Sequence, residues 1–450
     1  MTSSKLFLIL VPSILALSLP QADAPQDQAQ LGQLETRVAY TERDLERLLT
    51  LSPLPAPPLD STNRFQADPR AARLGQALFF DTRFSADGSV SCATCHIPQE
   101  GWGDRRDRAR GLDDVGRHTP TILNAVYNRW MFWDGRADSL WAQALHPFEE
   151  RAEHGISRVG VLRRIFDDAE YREAFEAIFG ALPPLGDSSR FAAEARPVAD
   201  DEGHEHAQAW ARMSTEDQAL VNAAYANVGK AIAAFEAQIV STEAPFDRYV
   251  EGLREGDAAK LEALDEAAVR GLQLFVGKAR CVLCHNGPNL TDREFHSTRI
   301  PPLEGGGSRD AGRFTGIKLV QADPFNGAGE FSDDPDGLAR TKVAYLYTSG
   351  HNWAEFKTPT LRHASETFPY MHEGQIKTLR DVVSFYSSLR DAVPVKHRTD
   401  ALLAPANLVG RESEDLLAFL HSLTGAGLDP SLMGAPPSPL LEDSGAEKEE

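Results

Sequence analysis

The sequence predicts a mainly α-helical protein built from two related units, and three observations carry that prediction. Apolar residues recur at helical spacing along much of the chain, as in Leu220, Ala224, Val228, Ala231, Ile232, Phe235 and Ile239. One signature occurs twice: Gly75-x-x-Leu78-Phe79 precedes a first C-x-x-C-H, and Gly271-x-x-Leu274-Phe275 precedes a second. The 450 residues suffice for two domains of ordinary size, and no stretch reads as a convincing β-sheet.

The elements follow in order. Lys5, the apolar run Leu6 to Leu19 and Ala22-Asp23-Ala24 read as a cleavable secretory signal over 1–24. The run is too short for a membrane span, so the mature chain is expected to be exported to the periplasm with no span of its own. Residues 25–69 are polar and then proline-rich (Pro53, Pro55, Pro57, Pro58), a lead-in expected to wrap rather than pack. The N-terminal unit, 70–245, opens with a helix from Arg70 to Phe80 that puts Leu74, Ala77 and Leu78 on one face. Two helical patterns follow over 139–180, then an exposed insertion over 183–209, then a long helix from Thr215 to Ser241. Asp247 to Gly256 reads as a linker into the C-terminal unit, 255–425. There, residues 301–340 are rich in Gly, Asp and Pro and predict a long irregular loop, with helices at Leu379–Leu389 and Ser413–Leu423. Prolines and the acidic run Glu442–Glu450 predict a disordered tail over 426–450.

Charge and cysteine usage narrow the function. A net charge of −20 argues against a nucleic-acid backbone as partner and favours a basic protein partner or simple solubility. All four cysteines belong to the two C-x-x-C-H motifs, which leaves no thiol for a disulfide framework. C-x-x-C-H is the attachment signature of c-type haem: two thiols add to the porphyrin vinyl groups, and the adjacent imidazole ligates the iron. A zinc site would need four nitrogen or sulfur ligands close together, and a thioredoxin-like pair would need a βαβ setting; neither pattern is present. Two haem c groups are therefore expected, with Cys92, Cys95, Cys281 and Cys284 as thioether donors and His96 and His285 as proximal ligands. Motif spacing leaves the far side of each iron open. Two closed, six-coordinate irons would make an electron carrier, and one open position would permit peroxide chemistry.

Several further segments carry a resemblance. Leu74–Asp81 running into S-C-A-T-C-H, Thr119-Pro120-Thr121, Phe132-Trp133-Asp134-Gly135-Arg136, Gln143-Ala144, and Phe356–Arg362 running into Pro369-Tyr370-Met371-His372-Glu373-Gly374 resemble the bacterial di-haem cytochrome c peroxidase and MauG family, in the same order, over roughly 70–425. The resemblance implies two cytochrome c-like helical domains, each with one covalently attached haem c, packed face to face. It implies that Trp133 relays electrons between the haems. Gln143, Pro147 and Glu153 would surround the N-terminal haem, with Glu153 as the acid–base that moves a proton between the two oxygens of hydrogen peroxide.

Three departures refine what is implied. Asp104–Gly116 carries no histidine, where peroxidases often have one that closes the peroxide haem; the N-terminal haem is then expected to be open at rest. His118 stands where many relatives have Asn beside an inter-haem calcium, whose other protein ligands would be the carbonyls of Thr367 and Pro369. Tyr386 lies fourteen residues after His372, where the peroxidases have a methionine ligand to the C-terminal haem and MauG-like relatives a tyrosine. Met371 is the rival ligand, and a place for Tyr386 in the helix core is the plainer alternative. The implied activity is an exported, MauG-like di-haem oxidoreductase that reduces hydrogen peroxide and draws electrons through its second haem. The alternatives are a conventional cytochrome c peroxidase fed by a small cytochrome c or cupredoxin, a modifying enzyme that oxidises a docked protein substrate, and a non-enzymatic di-haem electron carrier.

Overall fold

Most helices begin where a short polar side chain takes up a free N–H of the first turn: Thr41, Asp68, Ser139, Ser157, Asp168, Ser214, Asp265 and Thr378 all accept such a bond. The computed structural model describes residues 40–199, 201–241, 243–303, 310–394 and 400–441. The expected signal peptide and Glu442–Glu450 lie outside the described residues. In chain order the helices are α1 (Glu42–Leu49), α2 (Pro69–Phe80), α3 (Cys92–Cys95), α4 (Leu140–Glu149), α5 (Arg158–Asp167), α6 (Ala169–Phe179), α7 (Glu205–Ala211) and α8 (Thr215–Glu236). They continue with α9 (Pro245–Glu255), α10 (Ala258–Leu261), α11 (Glu266–Val276), α12 (Arg313–Ala322), α13 (Leu338–Ala344), α14 (Leu379–Ser388) and α15 (Glu412–His421). A two-residue antiparallel pair, β1 (Phe295–His296) and β2 (Phe356–Lys357), sets Phe295 opposite Lys357.

Two separate hydrophobic cores form within one compact unit, Thr36–Glu450. The first gathers α2, α4, α5, α6 and α8; the second gathers α1, α9, α11, α14 and α15. The repeated Gly-x-x-Leu-Phe signature has the same task in both. Gly75 on α2 lies so close to the Ala231 carbonyl of α8 that a Cβ would collide with it, and Gly271 on α11 lies equally close to the Asp415 carbonyl of α15. Each glycine lets two helix backbones touch, and its leucine and phenylalanine neighbours then fill the crossing. Leu78, Phe79 and Phe275 are fully buried, whereas Leu274 of the second signature is half-buried and its neighbour Leu272 is the leucine that is fully buried.

The structure departs from the sequence expectations in five places, each through buried apolar surface that composition concealed. The lead-in does pack: Leu48 and Leu51 enter the second core, and Tyr40 meets the Tyr249 hydroxyl at 3.1 Å. The stretch 183–209 is no exposed insertion, because Leu185, Phe191, Ala195 and Ala209 belong to the first core. The expected linker after Asp247 is helix α9, whose Phe246, Tyr249, Val250 and Leu253 enter the second core. The expected loop over 301–340 contains α12 and the first turn of α13. The described part of the tail is ordered and packed. Gln76 donates to the carbonyls of Ser431 (2.6 Å) and Gly434 (2.7 Å), Arg73 donates to Pro437 (2.6 Å) and Pro439 (3.0 Å), and Leu440 is buried in the first core.

Candidate active site

The first attachment motif is a single helical turn. The Ser91 N–H donates to Thr94 Oγ1 (3.0 Å) and the Thr94 N–H to the Ser91 carbonyl (2.9 Å) at α3, which holds Cys92 and Cys95 one turn apart, and His96 follows as the C-cap. The Nδ1 of His96 is 3.1 Å from the Trp102 carbonyl. At the second motif Cys281 opens a 3-10 turn, and the Nδ1 of His285 is 3.1 Å from the Leu290 carbonyl. A carbonyl on Nδ1 fixes the tautomer and ring orientation and leaves Nε2 as the ligand atom. Burial pushes both imidazoles below their ordinary range, so each is neutral, as a metal ligand must be. Two thiols and one anchored neutral imidazole, twice over, are the donor set that haem c requires.

Different groups approach the two motifs. Gln143 and Pro147 lie four residues apart on α4, hence on one face. Past the end of α4 the chain turns, and Glu153 is electrostatically coupled to both Cys92 and Cys95. Burial pushes its carboxyl up, Arg136 and His146 pull it back down, and Glu150 adds to the rise. The histidine-free loop holds Glu153 in place from outside: Leu112 donates to the Glu153 carbonyl (3.1 Å), Asp113 donates to Ala152 (3.0 Å), and Gly111 has no room for a Cβ against the Glu153 backbone. At the second motif, Tyr386 on α14 is coupled to Cys284 and Cys281 and interacts with Thr298; burial pushes its hydroxyl well above the ordinary phenol range.

Trp133 ties the halves together. Its indole N–H donates to the His118 carbonyl (2.9 Å), and its own carbonyl accepts from Lys357 of β2 (2.8 Å). His118 in turn donates its backbone N–H to the His372 carbonyl (2.9 Å), and the His372 ring stacks on Phe356 at 3.7 Å. Met371 precedes that histidine in a left-handed backbone conformation, with Thr367 and Pro369 in the same loop.

Sequence reading missed two ionisable groups. Glu236, the last residue of α8, is buried and coupled to Cys92, and burial pushes its carboxyl up to about 8. A lone carboxylate ending the run Ala231-Ile232-Ala233-Ala234-Phe235 was the available signal. His296 lies between Asp292 (2.8 Å) and Asp400 (2.6 Å) beside Cys284, and its pKa is pushed up to about 11, chiefly by its bond to Asp292. The Asp292 partner, four residues upstream, was legible; Asp400 was not.

Comparisons with known proteins agree with this geometry. Residues 69–255 match the family model described as di-haem cytochrome c peroxidase. The chain is 34% identical to the cytochrome-c peroxidase IdrP1 of Denitromonas iodatirespirans, over 83% of this chain and 86% of that one. It is also 34% identical to the methylamine utilization protein MauG of Methylorubrum extorquens, over 79% and 78%. Among solved structures, a MauG-like protein associated with microbial copper homeostasis shares the fold with a TM-score of 0.57 at 24% identity, covering 85% of this chain and 95% of that one. The diheme peroxidase BthA of Burkholderia thailandensis does so with a TM-score of 0.58 at 21% identity, covering 84% and 93%. With two anchored C-x-x-C-H motifs and relatives over four-fifths of its length, the chain belongs to the di-haem cytochrome c peroxidase and MauG family and is a di-haem peroxidase.

Proposed function

We propose that this peroxidase reduces hydrogen peroxide at an open N-terminal haem and draws electrons through a C-terminal haem ligated, as in MauG, by a tyrosine. The observation that carries the reading is Tyr386, whose hydroxyl is coupled to both cysteines of the second motif. His96 and His285 hold the two haems from the proximal side, and the four cysteines bind them covalently. Bound haem c supplies iron that takes up peroxide and exchanges electrons. Glu153 takes a proton from the inner oxygen of hydrogen peroxide and returns it to the outer one; a carboxyl raised toward the working pH serves both directions. Gln143 and Pro147 shape the same face. Trp133 gives up and regains an electron between the halves, its indole N–H steadied by the His118 carbonyl.

The electrons come from a small cytochrome c or cupredoxin, or from side chains of a docked protein substrate, and the charge of −20 favours a basic partner. Residues 1–24 direct the chain to the periplasm. The reading includes a calcium ion between the haems, on the carbonyls of Thr367 and Pro369. The ring of His118 offers no oxygen, and its carbonyl already serves Trp133, so the site lacks the hard ligand an asparagine would add.

The test is a visible and near-infrared spectrum of the fully oxidised protein before and after one equivalent of peroxide, with no reductant. An immediate change at both haems, together with an altered low-spin spectrum in Tyr386→Phe, is expected. No change until the C-terminal haem is reduced, with Tyr386→Phe spectrally silent, would instead identify a reductively activated cytochrome c peroxidase, with Met371 as the ligand.

A further inference from the structure

The segment Trp130-Met131-Phe132-Trp133 holds two oxidisable indoles three residues apart, a Cα separation of at most ~11 Å. Trp130 is buried, at 3% exposure, in a small cluster with Val320 and Val343, and Phe295, Ala328 and Leu346 pack against it. Leu346 is flanked by Tyr345 and Tyr347, which are 81% and 77% exposed. Oxidisable rings therefore lie on both sides of this cluster: Trp133 three residues after Trp130, and two phenols in water flanking the Leu346 that packs against it. Through these rings hydrogen peroxide, accepting two electrons and two protons to give two waters, could be reduced at the expense of the protein. Tyr345 and Tyr347 would each lose one electron inward and one hydroxyl proton to solvent, leaving two tyrosyl radicals.

Two cations stand on that route. The Arg313 guanidinium lies 4.1 Å from the centre of the Trp130 ring, and the Lys342 ammonium lies 4.6 Å from it. Arg313 is held there by the carbonyls of Gly135 (2.7 Å) and Asp134 (3.4 Å), and Lys342 by the carbonyl of Asp138. Carboxylates act on both cations only from beyond ion-pair distance among the described residues: Asp134, Glu294 and Glu355 on Arg313, and Asp138 and Asp60 on Lys342. With a neutral indole, both contacts are attractive, because the ring face is electron-rich. Once the indole has lost an electron it is itself a cation between two cations, in a buried place where Coulomb repulsion is weakly screened. Trp133 has the opposite environment, with a carbonyl accepting its N–H.

We propose that Arg313 and Lys342 form an electrostatic insulator on Trp130, which confines oxidising equivalents to Trp133 and denies them the exit through Tyr345 and Tyr347. This rests on the reading of Trp133 as the relay between the haems. Arg313 and Lys342 are positioning residues, acting through Trp130.

The holoenzyme is mixed with one equivalent of hydrogen peroxide without a donor and freeze-quenched. Tyrosyl radical is measured by electron paramagnetic resonance, and oxidised peptides by mass spectrometry. Wild type and Lys342→Arg, which keeps the charge, are expected to give little tyrosyl signal. Lys342→Met is expected to raise it several-fold, with modification at Tyr345 or Tyr347, and Tyr345→Phe with Tyr347→Phe in that background should abolish the gain. Equal tyrosyl yields in Lys342→Met and wild type overturn the insulator. A gain in Lys342→Met that survives Trp133→Phe overturns the relay, and the proposal with it; a wild-type spectrum that ignores peroxide removes both.

Discussion

The two halves share a proximal design and differ in everything aimed at it. Each crosses a glycine-bearing helix against a second helix at backbone contact, and each pins its histidine Nδ1 to a carbonyl 3.1 Å away. Yet the N-terminal motif faces two carboxyls, half-buried Glu153 and buried Glu236, whereas the C-terminal motif faces a phenol, Tyr386, and an imidazole between two carboxylates, His296. Proton-moving groups gather around one motif, and a ligand-capable oxygen and a fixed charge around the other. In the proposed function, side chains outside the repeated signature divide one scaffold used twice into a chemical site and an electron-handling site.

The sharpest way to break this division is Glu153→Gln. Removing the proposed general acid–base is expected to slow peroxide activation by about 10²–10⁴-fold while both haems stay attached. Stopped-flow spectra measure it, and an unchanged rate would return the chemistry to some other group. The likeness of the two scaffolds is tested next by Gly75→Ala and Gly271→Ala. Each forces a methyl into a helix backbone and should cost about 1–3 kcal/mol, read as a fall in Tm. A large loss at one position and none at the other would mean that the crossings are not equivalent.

The smallest effect concerns the fixed charge. His296 has a folded pKa raised to about 11 against an ordinary ~6.5. Its pair with Asp292 and Asp400 therefore adds stability that is complete below pH ~6.5 and is lost as pH rises toward 11. Haem attachment turns Cys284 into a thioether and removes that part of the shift, so the holoprotein should titrate lower. Asp400→Asn should flatten the alkaline fall in stability and lower the imidazole pKa by NMR; an unchanged titration would assign the charge to Asp292 alone.

The sequence made the repeated scaffold plain because its parts are local. C-x-x-C-H and Gly-x-x-Leu-Phe each sit within a turn or a helix and are kept, and the stripe expected over Thr215 to Ser241 is kept from Ala224 to Phe235, with Leu220 exposed and Ile239 past the end of α8 at Glu236. What composition hid was packing that only the fold reveals. Pro-rich residues before Thr62 and after Gly425 look unstructured by any local measure, and they are ordered by partners hundreds of residues away, such as Asp247 for Ser52 (2.7 Å) and Gln76 for Ser431 (2.6 Å). The same holds at the site. Glu153 was legible through its neighbours in the family motif, but the loop that holds it in place and the second carboxylate on His296 were not, because tertiary partners leave no periodic trace.

The two ends of the chain change places. Helix α1, which comes first, completes the core of the second half, while Leu428, Leu432, Met433 and Leu440, near the end, close over the first. Each half is therefore finished by sequence that borders the other, and a cut at α9 would leave two fragments, each missing a wall. In evolutionary terms the exchangeable module here is neither half but the pair. A graft of one half from a relative would have to bring its far terminus along, which makes the placing of the two C-x-x-C-H motifs an inherited property of the whole chain.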